Sequence, residues 1–228
     1  MSDDQETIRA TYTHYEATGR DRLWDRTNRG YNRLSEERDR AVVGLVRAAL
    51  PGSAGTLLDV GCGAGGTARL LAAADVSAAY SGIDLLPHLV EAARGAMSGV
   101  NFHVGSADAM PFESDTFDVA LALTLFSSLP SMRLEWTVAR EIERVLRPGG
   151  WLVWYDMRYN NPWNHGVHGI PRERLVALFP GWHTEVRSLT VPPPIARRLG
   201  ALTPFAYPLL HSLPPLRSHL IGRLRCPG

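Results

Sequence analysis

Leu57-Leu58-Asp59-Val60-Gly61-Cys62-Gly63-Ala64-Gly65-Gly66 is the stretch on which the fold turns. Residues 56–60 are a short apolar run of strand length, and residues 66–74 follow with helical character. The glycines between them allow positive φ and let a ligand lie against bare backbone. The helix N-terminus behind them offers unpaired N–H groups. Gly61, Gly63 and Gly66 satisfy G-x-G-x-x-G, a spacing that dinucleotide sites share. The plain alternative is a tight turn with no ligand.

Outward from this turn the chain alternates. Residues 79–83 read as a second strand, 87–97 as a helix with Pro87 in its first turn, and 100–104 as a third strand. Residues 117–123 are almost wholly apolar, as a strand covered on both faces must be. A helix over 133–146 stops at Pro148-Gly149-Gly150, and 151–155 is a fifth strand. Such repetition gives right-handed crossovers and predicts an α/β, Rossmann-like doubly wound sheet, mostly parallel. After Asp156 come a polar, aromatic loop, a short helix over 172–179 and a sixth strand over 182–191. Half of the chain's 16 prolines lie from Pro192 onward, and prolines cannot donate to a ladder. Residues 195–217 are therefore expected as an insertion over the acceptor side of a pocket, with 218–225 as an antiparallel last strand at the edge. Upstream, Ser35 is a candidate cap for a helix carrying Ala41, Val42, Leu45, Val46 and Leu50. The division expected is residues 1–50 as a helical extension or lid and 51–228 as one ligand-binding domain.

Composition removes several chemistries. All 24 basic residues among the 228 are arginine, so a P-loop lysine and a Schiff-base amine are both excluded. A net charge of +1 offers no basic field for nucleic acid, so no nucleic-acid partner is expected. Two cysteines, Cys62 and Cys226, form no disulfide framework and no paired metal spacing. The polar start is unlike a signal peptide, no apolar run reaches a membrane span, and a cytoplasmic location is the expectation.

Three carboxylates narrow the ligand. Asp59 precedes the first glycine by two residues, where it suits a cationic amino-acid end and repels a pyrophosphate. Asp84 closes the second strand about 20 residues past the glycines, where an acid takes ribose hydroxyls. Asp108, in Ser106-Ala107-Asp108-Ala109-Met110-Pro111-Phe112, can accept from an adenine amino group beside apolar neighbours. One acid at each of the first three strand ends fits S-adenosylmethionine.

With these motifs the sequence resembles the class I S-adenosylmethionine-dependent methyltransferases of the small bacterial kind that tailor glycans, glycolipids or metabolites. LLDVGCGAGG, GIDLLPHLVEAAR, GSADAMPFESDTFDVALAL and EIERVLRPGGWLVW carry the likeness, over residues 55–156. The resemblance implies that Asp59, Gly61, Gly63 and Gly65 line the methionine end, Asp84 and Leu85 the ribose, and Asp108 and Ala109 the adenine. It also implies methyl transfer to a small-molecule acceptor. The rivals are C- or N-methylation of a lipid or aromatic metabolite, an NAD-binding oxidoreductase, and a non-catalytic S-adenosylmethionine-binding module.

The acceptor side departs from the family. Many relatives carry a histidine pair just after the fourth strand, where this chain has Ser127 and Ser128. If a hydroxyl is methylated its proton needs an acceptor, and His165 or His168 is the candidate base, with Asp156 orienting the loop or the acceptor. Those histidines lack the flanking ligands of a metal site, and no metal is expected. The loop 156–168 mixes rings, amides and imidazoles suited to a sugar or glycolipid hydroxyl. After Glu185 no acid occurs, while Arg187, Arg197, Arg198, Arg217, Arg223 and Arg225 alternate with apolar residues. The first reading of this stretch is a proline-rich cap packed on the domain; basic plus apolar also suits peripheral membrane contact or a lipid-linked acceptor.

Overall fold

A computed structural model describes residues 3–52, 55–160 and 166–228. Its centre is a seven-stranded sheet in the order β3-β2-β1-β4-β5-β7-β6. The strands are β1 Thr56–Val60, β2 Ala79–Asp84, β3 Asn101–Val104, β4 Phe117–Leu123, β5 Leu146–Met157, β6 His183–Leu189 and β7 His219–Arg225. The first five are mutually parallel, and β7 runs antiparallel to both β5 and β6. β7 therefore lies inside the sheet and β6 forms the edge, which corrects the expectation of a C-terminal edge strand. Sequence order does not reveal this, because the last strand inserts between two earlier ones.

Side chains alternate across the central strands and bury two faces. Leu152 and Trp154 of β5 pack with Ala120 and Ala122 of β4 under α5 (Met132–Val145) and α6 (Arg172–Leu178). Val153 and Tyr155 pack with Val119 and Leu121 under α2 (Arg29–Ala49) and α3 (Gly66–Ala73). α4 (Pro87–Ala96) covers β3 through Val90, Ala93 and Phe102. α2 begins at Asn28, whose Oδ1 accepts from the Tyr31 N–H at 3.0 Å. Ser35 is a buried residue inside that helix rather than its cap. Either residue type caps well; the chain turn before Arg29 decides which one does.

Two appended segments lie against the sheet. α1 (Asp3–Ala17) crosses the strands' C-terminal ends and is tied down by polar contacts along its length. Ser131 donates to Asp4 at 2.9 Å, Gln5 donates to Asp108 at 3.5 Å, and Glu16 meets His88 at 2.8 Å. Residues 193–216 form α7 (Pro193–Arg198), α8 (Thr203–Ser212) and short 3₁₀ turns. Tyr207, Ala196 and Val191 pack there on Tyr31 and Leu34 of α2. Gly30 permits this crossing, because a Cβ on it would stand 1.7 Å from the Ala196 carbonyl oxygen. Gly30→Ala is expected to force α7 off α2 and to lower stability by about 1–3 kcal/mol in urea titrations. A variant as stable as wild type would show that the two helices part without loss.

Candidate active site

β1, β2 and β4 end side by side, and their turns form the floor of a basin, as at other α/β crevices. Three adjoining cavities open there. The first, about 160 Å³, has Asp84, Leu85, Ala107 and Leu125 in its walls, with Ile8 and Tyr12 of α1 above. The second, about 680 Å³, has Asp59 and Thr67 on one side and Arg26, Ser35 and Arg38 on the other. The third, about 450 Å³, is lined by Tyr12, Tyr15, Tyr31, Tyr155, Ser128 and His219, among others. Gly61 and Leu123 belong to both the first and second cavities. Tyr12, Thr124 and Ser128 belong to both the first and third.

The glycine turn is built for close approach. Gly61 and Gly63 have φ of 79° and 51°, and a Cβ on Gly63 would meet only open space. The Gly61 and Cys62 N–H groups both donate to the Ile83 carbonyl, which pins the turn to β2. Gly65 serves packing instead. Its φ is 74°, and a Cβ there would press on Ala93 and Phe102 at 3.2 Å, away from the cavity walls. Gly65, expected at the methionine end, thus faces Ala93 and Phe102 with its Cα and is not among the residues lining these three cavities.

The carboxylates are positioned and only partly neutralised. Asp84 accepts from the Gly63 N–H at 2.8 Å and the Leu86 N–H at 2.9 Å, so each oxygen keeps a lone pair for a ligand hydroxyl. Burial pushes its pKa up against those bonds. Asp59 is 2% exposed and accepts from the Tyr80 hydroxyl. Burial pushes Asp59 up to about 6, and bonds from Tyr80 and Thr67 only partly offset it. Such a group waits for a cation. Beyond it, Arg26 and Arg38 both bond Asp39, and the three together give the far wall of the second cavity two guanidinium groups against one carboxylate. In the first cavity Ser106 and Ala107 form the wall, while Asp108 stands behind them bonded by Ser106 and Gln5, and Ala109 is exposed. Asp108 and Ala109, expected at the adenine, thus stand behind the wall of the first cavity and do not line it.

The expected base residues are not brought together. Asp156 is fully buried and accepts from the Ser127 N–H at 3.1 Å and the Met157 N–H at 2.8 Å. Burial raises it to about 6. It holds the loop after β4 and lines none of these three cavities. The His168 ring turns to the far side of that loop, where its Nε2 meets Glu135 at 2.7 Å. Glu135 is 1% exposed and also receives Arg174, so His168 helps satisfy a buried acid. His165 lies outside the described residues. Among the described residues no group of His, Cys, Asp and Glu is gathered to hold a metal ion.

The histidine that does face the third cavity is His219, at the start of β7. It is 4% exposed and stacks on Tyr155 with centroids 4.7 Å apart and planes 6° from parallel. Its Nδ1 lies 2.8 Å from Thr190 Oγ1 and 2.9 Å from Ser218 Oγ. Thr190 donates its own proton to the Leu189 carbonyl at 2.8 Å, so its oxygen accepts from Nδ1–H. This tautomer, assigned from the hydrogen bonds, leaves Nε2 a bare lone pair with no protein partner among the described residues. Burial, helped by Arg38, drops the ring's pKa to about 3 and keeps it neutral. Thr124, where the cavities meet, and Thr190 carry φ of 58° and 59°, a strained region for β-branched residues and common at functional sites. Tyr12 hydrogen-bonds Ser128 across the first and third cavities, and burial raises its pKa. Sequence alone marked neither Tyr12 nor His219. The one hint was a histidine opening a strand in a stretch without acids.

A family model described as a methyltransferase domain matches residues 58–154. Over that stretch, less than half of its length, the chain is similar to a methyltransferase domain. Outside this domain's core the likeness thins. A phthiotriol/phenolphthiotriol dimycocerosates methyltransferase of Mycobacterium ulcerans is 34% identical over 124 residues, 52% of this chain and 45% of that protein. The sterol 4-C-methyltransferase strm-1 of Caenorhabditis elegans is 34% identical over 113 residues, 47% of this chain and 32% of that one. The methyltransferase domain thus matches less than half the length of these curated relatives. Among solved structures, an S-adenosylmethionine-dependent methyltransferase of Methanosarcina mazei superimposes with a TM-score of 0.58 at 18% identity, covering 80% of this chain and 96% of that one. The cyclase SpnF gives 0.60 at 24%, covering 83% and 80%. Proteins named for different reactions share this fold, so the site has to carry the chemistry.

Proposed function

We propose that the chain is an S-adenosylmethionine-dependent methyltransferase that methylates a hydroxyl on a lipid or glycolipid. The observation that carries this is the pair Asp59 and Asp84, set on either side of Gly61 and Gly63 and opening on separate cavities. An amino-acid end has an ammonium for Asp59 and a carboxylate for the Arg26–Arg38 wall. A nucleoside end has ribose hydroxyls for Asp84 and a flat base for Leu85, Ala107 and Leu125. A pyrophosphate would face two carboxylates. Bound there, S-adenosylmethionine supplies an electrophilic methyl group on a sulfonium.

The third cavity then receives the acceptor. Four tyrosines with Leu34, Leu89, Met157 and Pro193 make its walls apolar and flat, which favours a lipid body over a bare sugar. Tyr12, Thr124 and Ser128 place hydroxyls at its inner end. His219 Nε2 accepts the hydrogen bond of the substrate hydroxyl and so orients an oxygen lone pair. As that oxygen gains the methyl group it becomes strongly acidic, and its proton passes to Nε2 and then to solvent. A base of low pKa suffices because the proton leaves late. The names of the mycobacterial relatives support a lipid acceptor.

The nematode relative's name favours a second reading, methylation at carbon. Carbon-13 spectra of product made with labelled cofactor separate a methoxy from a C-methyl group. The cofactor is tested first, by calorimetry against S-adenosylmethionine, S-adenosylhomocysteine and NAD. Asp84→Ala should weaken S-adenosylmethionine by about 1–3 kcal/mol, because the ribose hydroxyls lose their acceptor. Unchanged affinity in a folded variant, or preference for NAD, rejects the assignment.

A further inference from the structure

α8 and the turns beside it are apolar on the side that faces away from the protein. Thr203 and Tyr207 point inward, where the Tyr207 hydroxyl and His211 both meet Glu37 of α2. The opposite side presents Leu202, Phe205, Leu209 and Leu213, exposed by 65%, 80%, 68% and 49%. Their spacing of three and four residues makes one continuous ridge. Ile195 and Arg198 of α7 are also exposed, and α8 holds no acid or arginine. No acid occurs anywhere after Glu185, and Glu37, the acid beneath, is consumed by its two partners. Phe205 at 80% exposure gains nothing for the fold, so its burial has to come from outside.

We infer that this ridge docks on the surface of an anionic phospholipid bilayer, with Phe205 and Leu209 entering the headgroup–acyl boundary and Arg198 and Arg217 meeting lipid phosphates. The charges choose this occupant. An apolar ridge flanked by arginines is complementary to anionic lipid. A two-fold pair of chains would instead set like arginines against each other. Continuity with the basin agrees, because α7 gives Ile195 and Arg198 to the outer face and Pro193 and Arg197 to the third cavity. The inference goes beyond the methyl-transfer reading and does not rest on it.

The test is co-sedimentation of the full chain with vesicles of phosphatidylcholine alone and of phosphatidylcholine with about one-third phosphatidylglycerol. Wild type should bind the anionic vesicles, and more weakly at high salt. Phe205→Ser/Leu209→Ser should lose binding about tenfold or more with unchanged thermal unfolding, since both side chains are exposed. Arg198→Gln/Arg217→Gln should lose the preference for anionic vesicles. Absence of binding by folded wild type, or full binding by the serine variant, overturns the proposal. So does a wild-type dimer in gel filtration that the serine variant converts to monomer, because the ridge would then be a contact between copies. Methyl transfer to a soluble acceptor is read separately and should survive both variants.

Discussion

His219→Asn should lower kcat by about 10²–10⁴ while S-adenosylmethionine affinity stays at the wild-type value. Asparagine can keep the donor toward Thr190 and Ser218 but carries nothing at the position of Nε2. Tyr155 and Thr190 lose little, so the effect should appear in turnover rather than in folding. His219→Gln, which can return an acceptor near Nε2, should recover part of the rate. His168→Ala should leave kcat near normal and cost stability instead, because the buried Glu135 loses one of its two side-chain partners. The pH profile separates the two histidines further. With a pKa of about 3, His219 remains an acceptor from pH 5 upward, and kcat at saturating cofactor should be flat there. A base with the ordinary histidine value would switch on between about pH 6 and 7. Near-normal kcat in His219→Asn, or a rise of kcat through neutrality, removes His219 from the reaction.

The second large effect is at Asp59. Asp59→Asn should weaken S-adenosylmethionine by about 2–4 kcal/mol, since the ligand's ammonium would be left without its counter-charge. The same change should stabilise the protein without ligand. Asp59 is raised in the folded chain to about 6 from 3.8. Its neutral form therefore supports the fold fully below about pH 4, and that support is lost as pH rises through 6. At pH 7.5 the loss amounts to at most about 3 kcal/mol, and the amide does not suffer it. Asp156 shifts in the same direction, so wild type should melt higher at pH 5 than at pH 7.5, and the variant should show less of that difference. Cofactor affinity runs the other way in wild type. A single acid of pKa 6 that must be charged to bind gives roughly a tenfold rise in Kd from pH 7 to pH 5. Thermal melts at two pH values and calorimetry on both proteins check this. A variant that binds as wild type does, or that melts lower at pH 7.5, contradicts the role given to Asp59.

The sheet was legible because its signals are local. The alternation of Leu152 and Trp154 with Val153 and Tyr155, and the glycines after Val60, mark strand and turn within ten residues of themselves. Asp59 and Asp84 could be placed for the same reason, since strand ends fix where their side chains begin. What sequence did not show depends on pairings between distant parts. His168 is withdrawn by Glu135, 33 residues before it, and Gly65 answers to Ala93 and Phe102. His219 reaches the third cavity only because β7 slides between β5 and β6, a neighbour relation that sequence order conceals. Tyr12 enters from a helix with weak periodicity, held by single polar contacts that no pattern announces.

Tyr12 has one more consequence. It forms part of the roof over both the first and the third cavity, and in each it stands with other residues of α1. With the cofactor's nucleoside in the first cavity and the acceptor in the third, as proposed, a displacement of α1 would uncover both at once. The fastenings of α1 are single side-chain contacts, some exposed and some partly buried, and the exposed ion pair to His88 is worth little in water. On that reading spent cofactor and finished product would share one gate, and the pace of repeated turnover would follow how often that gate swings.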